Sequence, residues 1–183
     1  MTEIGFAPVD PARFRSTLGH FCTGVTVVTA ALDGQPAGFA CQSFAAVSLE
    51  PPLVLFCPSR ASRSWPVIER AGRFGVNVLT HHQAEVSAAF GSSRPDKFET
   101  AGWTASAGGV PILDGALAWV EATIEAVHPA GDHYVVIGRV VALGGGGESP
   151  PLLFHRGRYT APSAETQPPA PHWLTWSRVD DWI

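Results

Sequence analysis

GFACQSFAAVSLEPPLVLFCPSRASRSW, residues 38–65, decides the fold. Small and apolar residues run in two extended stretches, 35–49 and 51–57, with Pro51-Pro52 at the head of the second. Proline gives no N–H to a ladder, so this pair marks either a sheet edge or the start of a strand. Gln42, Ser43 and Ser48 interrupt the apolar runs. A Ser/Arg-rich turn follows, then a helix over 62–71, with Ser64 as its cap and Pro66 tolerated in its first turn. Strand, small-residue bend, strand, turn and helix in this order predict a β-rich fold with helical insertions.

The flanking sequence extends that pattern. On the N-terminal side, GVTVVTAAL (24–32) is rich in β-branched residues, and Asp33-Gly34 is a hairpin signal that pairs it antiparallel with the segment from 36. Asp10-Pro11 reads as N-cap and first helical residue, and Phe14, Leu18 and Phe21 follow at helical spacing, giving a short helix over 10–20. On the C-terminal side, RFGVNVL (73–79) is a strand. Thr80-His81-His82-Gln83 has the capping-box pattern that opens a helix to Phe90. Residues 91–103 read as a polar loop. LAWVEATIEAVH (117–128) alternates as a long strand, 129–132 is a turn, 133–143 is the returning strand, Gly144–Gly147 is a loop, and 152–160 is a last short strand. Short-spaced strands joined by hairpins predict an antiparallel barrel, mainly β, rather than a βαβ array. The barrel domain takes residues 1–160. Residues 161–183 form an arm, Pro-rich at first and ending in HWLTWSRVDDWI (172–183), whose three tryptophans require a surface to dock on.

Composition narrows the function. The 183 residues are 45% hydrophobic and only 15% charged, against about 25% charged in ordinary soluble domains. Apolar surface with so little charge fits an obligate subunit interface. Net charge is −4 and Lys97 is the sole lysine among twelve basic residues, with no basic run, so an electrostatic grip on nucleic acid is not expected. Cys22, Cys41 and Cys57 are odd in number, form no CxxC, and each sits in an apolar stretch. They read as buried free thiols of a cytoplasmic protein. No signal-peptide pattern and no membrane-spanning run is expected, and no His/Cys/Asp/Glu set has metal spacing.

Two places carry chemistry. Ser59, Arg60, Ser62, Arg63 and Ser64 gather hydroxyls and cations before a helix, which suits a phosphate; the same residues also read as a capped helix with solvated arginines. His133 follows Gly131-Asp132 at a strand mouth, where it is either a turn residue or a group that orients a ligand. No G-x-G-x-x-G follows a strand and no P-loop is present, so a nucleotide is not held by either of those devices.

Taken together, FRSTLGHFCTGVTVVTA (14–30), GFACQSFAAVSLEPPLVLFC (38–57), SRSWPVIERAGRFGVNVL (62–79), FGSSRPDKF (90–98), GDHYVVIGRV (131–140) and LLFHRGRY (152–159) resemble the short-chain flavin reductases. These are the small reductase components of two-component flavin-dependent monooxygenases. The resemblance implies the FMN-binding split barrel, a Greek-key fold, in a homodimer with its flavin near the subunit interface. It implies an NAD(P)H:flavin oxidoreductase that passes reduced FMN or FAD to a separate monooxygenase, with NADH favoured over NADPH. Within the family, 38–59 is similar to reductases serving actinobacterial steroid-ring hydroxylases, which points to steroid or aromatic catabolism.

Carried onto this chain, the resemblance places the flavin ring and ribityl chain along Pro36, Gly38, Ala40, Cys41, Gln42 and Ser43. The phosphate region falls to Cys57, Pro58, Ser59, Arg63 and Ser64, and Phe90, Gly91 and Lys97 extend the site. It assigns His133 to the nicotinamide as the catalytic, orienting residue, with His155, Arg156 and Tyr159 bordering it. A carrier or redox sensor of the same fold is the alternative. A pyridoxamine-phosphate oxidase-like enzyme would need a second basic phosphate set, which the sequence does not show.

Overall fold

A computed structural model describes residues 9–163. In chain order its elements are α1 (Pro11–Leu18), β1 (Thr23–Gly24), β2 (Thr26–Leu32), β3 (Gln35–Cys41), β4 (Ala45–Leu49), β5 (Pro52–Phe56), α2 (Trp65–Ala71), β6 (Arg73–Val78), a 3-10 turn (His81–Gln83), α3 (Ala84–Phe90), α4 (Lys97–Ala101), β7 (Trp103–Ala105), β8 (Pro111–Leu113), β9 (Ala118–Ala130), β10 (His133–Gly145), β11 (Leu153–His155) and β12 (Arg158–Thr160). Seven strands make one antiparallel sheet in the order β3-β2-β6-β9-β10-β5-β4.

The two edges of this sheet are consecutive in sequence. Between Cys41 and Ala45 the chain has four Cα steps, which reach at most about 15 Å. A flat seven-stranded sheet sets its edges roughly 29 Å apart at ~4.8 Å per strand. The sheet therefore curls until β3 and β4 approach. They do not pair with each other, so the barrel is split rather than closed. Register shifts at Ile137/Gly138 and Val140/Ala142 bend the long β9–β10 ribbon into the curl. Gly138 lies directly against the Phe74 ring, where a Cβ would collide.

β2 explains its own β-branched sequence. Thr26 to Ala30 is buried throughout because both faces of the strand are covered. Val28 and Ala30 face the inner core with Phe56, Phe74, Trp65 and Ile68. Val25 and Val27 face a second core with Leu79, Phe90, Leu113 and Leu152. Asn77, fully buried, ties the two layers: its amide donates to Val27 O and Thr29 Oγ1, and its Oδ1 accepts the Leu113 N–H.

Local signals are realised in part. Asp10 caps α1, accepting from the Ala12 and Arg13 N–H groups. Asp33 and Gly34 take φ of 51° and 77°, the pair of positive values that the β2–β3 hairpin turn needs. The Thr80/Gln83 capping box forms. Five readings are corrected. Residues 35–49 are not one extension, because Gln42–Phe44 carries the chain from one sheet edge to the other. The polar loop at 91–103 contains α4, and the β7–β8 hairpin follows it unpredicted. Gly144 and Gly145 belong to β10, paired with Trp119 and Ala118. The last strand is a hairpin turning at Arg156-Gly157, at φ 49° and 78°. Cys22 is exposed rather than buried. The docking expected of 172–183 lies outside the described residues.

Candidate active site

A groove runs beside the open edge of the sheet, in two joined lobes. The first, about 620 Å³, is lined by Ala40 and Cys41 of β3, Gln42 and Ser43 of the bend, Cys57 and Ser59 beyond β5, Gly91 after α3, His133 at the start of β10, and Tyr159 of β12. The second, about 550 Å³, is lined by Pro36, Gly38, Arg63, Ser64, Phe90, Gly91 and Lys97. Phe39, Ser62 and Gly91 line both. The fold thus gathers residues spread over more than a hundred positions of sequence.

Three expected residues are not in the groove. Pro58 is buried, with its carbonyl accepting the Tyr134 N–H at 3.0 Å. His155 lies on β11 opposite Arg158 and lines neither lobe. Arg156 occupies the β11–β12 turn and lines a separate concavity against α1. The single-strand reading of 152–160 put all three of His155, Arg156 and Tyr159 on one element; the turn points Arg156 elsewhere.

β3 is an edge strand, so half of its backbone hydrogen-bonding groups face away from β2. Which half is fixed by two observations. The Gly38 carbonyl accepts from Ser64 Oγ at 2.8 Å and Lys97 Nζ at 3.3 Å, so it points outward. Pro36, of the same parity, has no N–H to give β2. Ala40 shares that parity and lines the first lobe, so its N–H and C=O face the groove.

The second lobe is cationic. Arg63 has no carboxylate within ion-pair distance among the described residues. Lys97 sits 5.8 Å above the Phe90 ring. Partial burial, with the nearby Arg63 charge added, pulls the Lys97 pKa down. Arg94, across the lobe, is neutralised by Asp96 at 2.6 Å. Two uncompensated cations held close together favour an anion between them.

His133 stands at the rim of the first lobe, its Nδ1 2.8 Å from Asp132 Oδ1. That hydrogen bond is the main reason the Asp132 carboxyl titrates below its ordinary range, the charge of His133 adding to it. An ionised Asp132 holds the proton on Nδ1 and leaves Nε2 without a partner among the described residues, available to hydrogen-bond a ligand.

Cys41 and Ser43 are structural within the groove wall. Burial pushes the Cys41 thiol pKa up, so it stays protonated and is no nucleophile. Ser43 Oγ accepts the Cys57 N–H at 3.0 Å and lies 3.3 Å from Cys41 Sγ. It staples the bend to the chain leaving β5. Ser64 does not cap α2 with its side chain; Ser62 does, its Oγ accepting the Trp65 N–H at 3.2 Å.

Sequence reasoning missed Phe39, Ser87, Arg94 and Phe154 as lining residues and Ser62 as the cap. Ser62 was legible, three residues before the first helical tryptophan. Ser87 was not: it is a buried helix residue whose Oγ receives the Tyr159 hydroxyl at 3.0 Å across the groove.

Residues 18–163 match the family described as Flavin reductase like domain. The chain is 54% identical over 181 residues to the flavin-dependent monooxygenase reductase subunit HsaB of Rhodococcus jostii, covering 96% of this chain and 93% of that protein. Nitrilotriacetate monooxygenase component B of Mycobacterium thermoresistibile superposes with a TM-score of 0.84 at 54% identity, over 87% of this chain and 90% of that one. The NADH:FAD oxidoreductase SgcE6 of Streptomyces globisporus, solved with NAD and FAD fragments, superposes at 0.82 with 31% identity, over 88% and 100%. A split antiparallel sheet, a groove along its free edge and these likenesses converge: the chain belongs to the flavin reductase-like family of oxidoreductases.

Proposed function

We propose that the chain is an NAD(P)H-dependent flavin reductase that binds FMN or FAD along β3, takes its electrons from NADH in preference to NADPH, and releases reduced flavin to a separate monooxygenase. The observation that carries this is the placing of His133 on the rim of the lobe into which Ala40 turns its free N–H and C=O.

The donor set fits the group. One outward N–H and one outward C=O match the acceptor and donor edge of a flavin ring, Phe39, Phe154 and Tyr159 give apolar walls, and Arg63 with Lys97 suit a phosphate. When bound, the flavin supplies the two-electron acceptor and the nicotinamide supplies the hydride. The protein's part is distance and orientation. The β3 edge would hold the ring by backbone contacts, which no side-chain motion loosens. His133 Nε2, presented by Asp132, would hydrogen-bond the nicotinamide carboxamide and orient it. Tyr159, latched to Ser87, closes the wall.

The chain is proposed to act as a homodimer in the cytoplasm. Exposed Val47 and Leu49 on β4 and Val141 and Leu143 on β10 support a subunit contact, and three free thiols support a reducing compartment. Among the described residues no helix is long and apolar enough to cross a membrane. The oxygenase served is proposed to work in steroid or aromatic catabolism, which the wording of residues 38–59 supports.

The deciding experiment follows oxidation of NADH, and of NADPH in parallel, with and without FMN, FAD and riboflavin. Flavin-dependent turnover is expected. Tight flavin binding without turnover would instead make the protein a carrier or sensor.

A further inference from the structure

Behind the groove, on the other side of the bend at Gln42-Ser43, lies a third concavity of about 620 Å³. Its floor is apolar: Phe14 and Leu18 of α1, Phe21 just after it, and Phe154 of β11. α1 buries none of its residues, and Phe14, Leu18 and Phe21 are 53%, 54% and 75% exposed. An amphipathic helix whose apolar face the described residues leave half-exposed or more is incomplete. Arg15 and Arg156 stand at the rim with no carboxylate within ion-pair distance among the described residues. The Thr23 hydroxyl in the wall is buried and has no hydrogen-bond partner among the described residues.

The chain carries a segment of matching chemistry. Residues 172–183, HWLTWSRVDDWI, lie outside the described residues and bring Trp173, Leu174, Trp176 and Trp182 together with the adjacent carboxylates Asp180 and Asp181. Reach is not limiting. Gly157 at the concavity is three residues from Thr160, about 10 Å along β12. The ten residues from Ser163 to Trp173 can span up to roughly 33 Å. Tethering at that range gives an effective concentration of order millimolar, which no free ligand of the same chemistry matches without being abundant.

We propose that the tryptophan-rich segment 172–183 seats in the concavity between α1 and the β11–β12 hairpin of its own chain. Its indole rings cover Phe14, Leu18, Phe21 and Phe154, and its carboxylates meet Arg15 and Arg156. Because Gln42, Ser43 and Phe154 line both this concavity and the first lobe of the groove, the seated segment braces the groove wall from behind.

Cys22, exposed beside Phe21, gives a direct test. Bimane, a small dye that tryptophan quenches at contact range, is attached there in full-length protein carrying Cys57→Ala. The expected result is strong quenching, relieved several-fold by replacing Trp173, Trp176 and Trp182 with Phe, and equally by Leu18→Asp. The triple replacement and Leu18→Asp combined give no further rise, since both empty one site. Circular dichroism checks that each variant is folded; Leu18 is exposed, so its replacement leaves the cores intact. Emission that ignores the three tryptophans would overturn the proposal and leave the concavity to residues 1–8, which hold no tryptophan, or to a second copy's α1. Quenching of tail-less labelled protein by unlabelled full-length chains would overturn the same-chain assignment. The readout needs no turnover, so it stands or falls apart from the reductase reading.

Discussion

At the scale of single residues, the groove divides its work between groups that touch a ligand and groups that hold those groups still. In the proposed reading His133 is of the first kind, and Asp132, hydrogen-bonded to it, is of the second. His133→Ala is expected to raise the nicotinamide KM or lower kcat by roughly ten- to a hundredfold, the range typical of a lost orienting group, while flavin affinity measured by fluorescence quenching survives. Loss of flavin binding instead would mean that the nicotinamide does not meet this side chain. Lys97 makes a prediction in pH. Its pKa is lowered by burial and by Arg63, so it loses its proton at a lower pH than an ordinary lysine. Affinity for FMN should therefore weaken as pH rises toward the alkaline range, before free lysines titrate. Lys97→Arg should remove that weakening, and the comparison with riboflavin, which has no phosphate, should show none. That Lys97 and His133 line the groove was legible from the wording of FGSSRPDKF and GDHYVVIGRV. The positions of His155 and Arg156 were not, because a two-residue turn at positive φ inside HRGRY reverses the chain without a proline or an Asn-Gly pair to announce it.

At the scale of elements, hairpins and caps could be read directly, since each depends on chemistry within four residues: Asp33-Gly34, Asp10 before Pro11, the Thr80/Gln83 box. The jump from β3 to β4 could not. Gln42-Ser43-Phe44 contains no residue that breaks a strand, and what ends β3 there is a tertiary event, the curl that brings β5 alongside. Ser43 records that event in its hydrogen bonds to Cys41 and Cys57. Ser43→Ala is expected to lower the unfolding free energy by about 1 kcal/mol, the net worth of such a bond, and to weaken flavin several-fold. Denaturant titration and flavin binding measure the two effects, and Ser43→Thr should restore most of both. The placing of the Ser59–Ser64 cluster belongs to this scale too. Ser62 caps α2, Ser64 is turned back onto Gly38, and Arg63 is left facing the groove.

At the scale of the whole molecule, the strand count and hairpin spacing implied an antiparallel barrel, and the curled sheet with two unpaired edges is that barrel left open. Its two cores, one inside the curl and one beneath α3, flank β2, which is why 26–30 shows continuous β-branched and apolar residues where a half-exposed strand would alternate. Truncation after Thr160 is expected to leave flavin reduction detectable, because no groove-lining residue lies beyond Tyr159 among those described; abolition of turnover in a truncated protein that still folds would make the removed residues part of the site. The open edge has one further consequence. A strand with free N–H and C=O groups is a template for any other strand, whether or not it belongs to a useful partner. A ligand lying on Ala40 would mask that template. The protein freed of flavin is accordingly expected to clump faster on storage or mild heating than the flavin-saturated protein, followed by light scattering, with riboflavin protecting less than FMN. Equal rates would mean that the edge is shielded by something other than the ligand. Seen this way, the gap in the barrel makes the enzyme's substrate the guardian of its own solubility.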